Sequence, residues 1–183
     1  MARCKALPVL LLPLLFAACM ELSEFDAQQV QSALNDSLTT TTESWDVRMQ
    51  LMQQQRREIS IEGSYAITYQ RPDRRETRIS GPVYVQLFDT AGNVKTEAWS
   101  KRAVYLEQER AFELFDSVRV LTAENRRLYS EFLVWTQDDD RIHSPEFVTI
   151  ITPSDSIAGL GFDGTTDLSS YIIERPTGRF TVD

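Results

Sequence analysis

The chain has 183 residues, 42% of them apolar and 10% aromatic, which suits one domain with its own hydrophobic core. Seven Gly and seven Pro exclude a collagen-like or wholly disordered chain. With 27 acidic against 19 basic residues the formal charge is −8, which excludes whole-chain attraction to nucleic acid or any other polyanion.

Residues 1–18 read as a targeting segment. Arg3 and Lys5 supply a charged start, and Leu7 to Ala18 form an apolar run interrupted by Pro8 and Pro13. A spanning helix needs about 20 apolar residues, so this run is short for an anchor. It ends in Leu15-Phe16-Ala17-Ala18-Cys19, which resembles a lipobox, with Phe16 where an aliphatic residue is usual. The expectation is cleavage before Cys19, lipidation of Cys19 and attachment to a membrane through that lipid anchor. The other cysteine, Cys4, lies within the segment removed, so the mature chain has no pair for a disulfide. Loss of Arg3 and Lys5 leaves 17 basic against 27 acidic residues, 17 − 27 = −10.

Residues 19–44 read as the lipidated cysteine and a flexible tether, polar and ending in Thr39-Thr40-Thr41-Thr42, with a short helix from Glu24 to Leu34 at most. The β domain is expected to span 45–183. Trp45, Val47, Met49 and Leu51 alternate with polar residues, as do Ile59, Ile61, Tyr65, Ile67 and Tyr69. Period-two spacing of this kind puts one set of side chains on one face of a strand. Further strands run through Val83, Val85 and Leu87, then Trp99, Ala103 and Tyr105, Val118 and Val120, Leu128 to Trp135, Ile142 to Ile150, and about Tyr171 to Val182. Turn-forming residues separate them at 71–75, 89–93, 123–126, 137–140 and 152–155. Beyond residue 44 no helical period is sustained, so the fold is all-β, a chain of consecutive antiparallel hairpins. Val83-Tyr84-Val85 matches Val118-Arg119-Val120, and Val94 to Glu97 matches Leu128 to Glu131, 35 and 34 residues on. Such a repeat points to a stacked β unit.

Catalytic chemistry has few carriers here. His143 is the sole histidine, no Gly-x-Ser-x-Gly elbow occurs, and the neighbouring acids Asp138, Asp139 and Asp140 fall in a turn. One His and no folded Cys predict no zinc site, and Asp163 to Asp167 lacks calcium-loop spacing and reads as a turn. No catalytic residue, metal or cofactor is expected. Arginine clusters at Arg56-Arg57, Arg71 to Arg78 and Arg126-Arg127 suit phosphate contact or a solvated hairpin end.

The ordered positions Val83-x-Val85-x-Leu87, Ala103-x-Tyr105, Val118-x-Val120, Leu128-x-Ser130-x-x-Leu133-x-Trp135, Ile142-x-Ser144, Val148-x-Ile150 and Gly159-x-Gly161-Phe162 resemble the LptC family, the periplasmic component of the lipopolysaccharide export ABC transporter. The likeness covers about Trp45 to Phe180. It implies a twisted, partly open antiparallel β-jellyroll, or β-taco, whose interior receives lipopolysaccharide acyl chains. It further implies partners: inner-membrane ABC transporter subunits, and a periplasmic bridge protein met by edge-strand pairing. Many members hold to the inner membrane by an uncleaved helix, where this chain shows Cys19. Val83, Val85, Leu87, Tyr105, Val118, Val120, Leu133, Val148 and Ile150 are the apolar groove candidates, the alternative for each being a closed, dry core. An envelope lipoprotein that scaffolds by edge pairing, without carrying lipid, is the rival function.

Overall fold

The computed structural model describes residues 28–30, 32–33, 39–53 and 55–177. The chain divides into two units, Met1–Leu38 and Thr39–Asp183. In the first, the described residues 28–30 and 32–33 are helical and exposed; the targeting segment, Cys19 and most of the expected tether lie outside the described residues.

The second unit is one nine-stranded antiparallel sheet in sequence order, β1 Thr40–Gln53, β2 Arg56–Gln70, β3 Arg75–Phe88, β4 Val94–Leu106, β5 Ala111–Thr122, β6 Arg127–Thr136, β7 Arg141–Ile151, β8 Ser156–Thr165 and β9 Tyr171–Thr177. Each strand pairs with its chain neighbours, so β1 and β9 are the edges. The sheet starts earlier than expected: Thr40 to Ser44 pair with Gln70 to Ala66, because a run of β-branched threonines extends a strand as readily as a tether. Asp163 to Thr165 are likewise strand, with the turn at 166–170. β9 is described to Thr177, and the expected extension to Val182 lies outside the described residues.

A crease crosses the strands. Pairing register slips between Glu62 and Tyr65 in β2, Ser80 and Val83 in β3, Trp99 and Arg102 in β4, Phe115 and Val118 in β5, and Ser144 and Phe147 in β7. Positive φ angles mark the same line at Asp46 (51°), Gly81 (90°), Asp116 (66°), Ser117 (55°) and Gly161 (75°). Bulges bend strands, and aligned bulges fold a sheet. The fold brings two layers face to face. The upper layer carries the turns at 89–93, 123–126 and 152–155, and the lower layer those at 71–74, 107–110, 137–140 and 166–170.

Between the layers lies the core. Ile59, Ile61, Val83, Val85, Val118, Val120, Leu128, Val148 and Ile150 come from above; Ala66, Ile79, Phe112, Leu114, Leu133, Trp135, Ile142 and Phe162 come from below. Buried serines hold the crease. Ser130 Oγ donates to the Phe132 carbonyl at 2.9 Å, Ser144 Oγ donates to the same oxygen at 2.7 Å, and Ser100 Oγ donates to the Arg102 carbonyl at 2.9 Å. These bonds satisfy backbone groups that the bulges release from the ladder.

The crease also corrects the strand faces read from sequence. Ile59 and Ile61 point inward, but after the bend the inward residue of β2 is Ala66, so Tyr65, Ile67 and Tyr69 turn to the outer face. Trp45 turns outward with them, 68% exposed, and packs on Tyr65 at 5.7 Å between ring centroids. One residue added to a strand flips every side chain beyond it.

Candidate functional site

All nine groove candidates meet in the interior. Val83, Val85, Leu87, Val118, Val120, Val148 and Ile150 line the upper layer, Leu133 lies buried in the lower layer, and Tyr105 packs against this core half-buried. They enclose little empty space. A void of about 30 Å³ remains between Val85, Leu87, Ala98 and Val120 above and Phe112, Leu114, Leu133, Trp135 and Ile142 below. That is close to the share of liquid volume one water molecule takes, ~30 Å³.

The lower wall carries residues that the groove reading missed. Tyr105, Phe112 and Trp135 sit on adjacent strands and stack in a row, with ring centroids 4.3 Å and then 5.4 Å apart and planes within 18° and 15°. Alternation of Phe112 and Leu114 was the available signal. It escaped notice because the Glu107 to Arg110 turn before it holds no Gly or Pro to mark a strand start. Burial raises the Tyr105 phenol above its ordinary value.

At the mouth the rims of the two layers are tied together. Lys95 Nζ reaches Asp140 Oδ2 at 2.5 Å, and Thr166 Oγ1 donates to Asp140 Oδ1 at 2.6 Å. Thr96 Oγ1 donates to the Thr166 carbonyl at 3.0 Å, and Arg126 Nη1 to the Asp167 carbonyl at 3.1 Å. The β8–β9 turn thus lies over the opening and inserts Leu168, which is buried despite a φ of 55° that few bulky residues adopt. Burial pushes the Asp167 carboxyl up, but hydrogen bonds from Thr165 Oγ1 and the Ser169 amide outweigh it and hold the group at about 2.

Beside this tie is a polar cleft of about 530 Å³ lined by Arg57, Glu58, Phe88, Asp89, Lys95, Trp135, Gln137, Asp138 and Asp140. Burial raises the Glu58 carboxyl, with Arg110 opposing. The acids near His143 are engaged elsewhere, Asp138 with Arg110 at 2.8 Å and Asp140 with Lys95. Among the described residues no cluster of three or more His, Cys, Asp or Glu could hold a metal, and no helix is long and apolar enough to cross a membrane.

A single creased antiparallel sheet, apolar between its layers and unpaired at both edges, defines a β-jellyroll of the taco type. Residues 9–171 match the family model described as lipopolysaccharide-assembly, LptC-related, and the chain belongs to that family. It is thereby a component of lipopolysaccharide transport, and the family works in the periplasm in association with the inner membrane, between the transporter and the bridge proteins. No match was found among curated proteins.

Proposed function

We propose that this chain receives lipopolysaccharide from an inner-membrane ABC transporter, holds its acyl chains between the two layers, and passes them to a periplasmic bridge protein that pairs with β9. The observation that supports this reading is the continuous apolar interior reaching from the crease to a mouth closed only by side-chain ties and one turn. Removing acyl chains from water supplies the binding energy, ~25 cal/mol per Å² of apolar surface. Because the resting void is about 30 Å³, loading requires the layers to part at the mouth. Separation there costs a few polar contacts, whereas separation at the crease would break strand pairing. Val83, Val85, Leu87, Tyr105, Val118, Val120, Leu133, Val148 and Ile150 would then contact lipid. Cys19, lipidated after removal of residues 1–18, would keep the carrier at the membrane, and the residues before Thr40 would set its reach.

Energy for the transfer would come from the transporter; the chain itself would hydrolyse nothing. Native mass spectrometry of the full chain from envelope extract tests the reading, with Val120→Arg as comparison. The expected result is a co-purified glycolipid on the wild type and a folded, lipid-free variant. A lipid-free wild type together with an unfolded Val120→Arg would instead favour a filled core and a scaffolding role.

A further inference from the structure

Trp135 has a buried hydrogen-bond donor with nothing to bond. Its indole nitrogen is the one buried side-chain polar atom among the described residues without a partner, and the residue is 6% exposed. Buried donors are nearly always paired, and leaving one unpaired costs about 1–3 kcal/mol. Phe112 stacked on its ring and the Ile142 partner across the strand pair hold it in place. Trp135 also lines both the apolar void and the polar cleft at the mouth, so it stands at the boundary between the two.

We propose that the Trp135 indole N–H is the polar anchor for the carried lipid, donating to an acyl ester or amide carbonyl where chain joins headgroup. This rests on the carrier reading above. Any amphiphile lying across the boundary puts its chains in the interior and its head in the cleft, and the junction carbonyl falls between them. Charge selects a carbonyl over a phosphate. The cleft holds Glu58, Asp89, Asp138 and Asp140 against Arg57 and Lys95, and Lys95 is already paired with Asp140. A phosphate there would face carboxylates with only Arg57 free of an ion pair among the described residues, whereas a neutral carbonyl meets no such repulsion.

The test follows the indole N–H resonances of the 15N-labelled full chain, which has three tryptophans; the Trp135 signal is the one lost in Trp135→Phe. The probes are lipid A, the acylated anchor of lipopolysaccharide, and hexadecane, which has no acceptor, each in the same mild detergent. Lipid A should shift the Trp135 indole proton downfield and hexadecane should not, and Trp135→Phe should weaken lipid A about two- to tenfold while leaving hexadecane unchanged. Lipid A binding that leaves the indole signal in place and is unaltered by Trp135→Phe would overturn the anchor and leave the carrier reading intact. Failure of wild-type chain to bind lipid A at all would overturn both.

Discussion

Asp167 shows how one side chain fixes the turn over the mouth. Its carboxyl sits at about 2 in the folded chain, below the ordinary carboxylate value near 4, so it stabilises the fold most fully above pH ~4. That contribution falls away as pH drops from about 4 through 2. Asp167→Asn should therefore be less stable than wild type at pH 7, with the difference shrinking towards pH 2 in urea titrations; a constant difference would show that the carboxylate charge plays no part. In the core, Leu133 is fully buried against both layers, and Leu133→Ala should cost about 2–5 kcal/mol by denaturant unfolding. Val83 to Ile150 were legible as inward-facing residues because alternation of valine, leucine and isoleucine survives within each strand segment. Trp135 was legible as a strand residue, but its unpaired donor was not, since a missing partner depends on every neighbour in space.

The crease is the element that turns a flat meander into two layers. Gly81 stands on it with φ 90°, and a Cβ there would meet Ser64 Oγ at 2.5 Å. Gly92, in the β3–β4 turn, has φ 86° but open space around it. Gly81→Ala should therefore destabilise the fold clearly more than Gly92→Ala, which carries only the backbone penalty of about 1 kcal/mol, and thermal melts of the two variants compare them directly. Equal losses would mean that the crease relaxes freely. Most of this line was hidden in the sequence. Ser100-Lys101, Asp116-Ser117 and Ser144-Pro145 are ordinary strand interruptions read singly, and only their alignment across neighbouring strands makes a fold. The 35-residue repeat was its shadow: Val83 and Val118 are each the first buried residue after the bend, two strands apart. The polar turns at 89–93, 123–126, 137–140 and 152–155 were plain, because their Asp, Asn, Gly, Pro and Ser have local mechanical preferences that need no tertiary context.

At the scale of the molecule, a sheet with nine strands and two free edges has ends as well as a middle. The edge strand β9 carries Ile172, 67% exposed, and unpaired backbone along its outer side is a template for a further strand. The hairpin order was readable from turn spacing. Closure of the mouth was not, because Lys95 and Asp140 lie 45 residues apart with no local pattern linking them. If the layers part at the mouth to admit acyl chains, contact with lipid must be confined to the inner face. Photo-crosslinkers at Val85, Val120 and Ile150, compared with crosslinkers at the outward-facing Tyr129, Val134 and Phe147, test that claim most directly in cells exporting lipopolysaccharide. The account predicts glycolipid adducts at the three inner positions and none at the outer ones. Adducts at the outer positions, or at both sets alike, would contradict it.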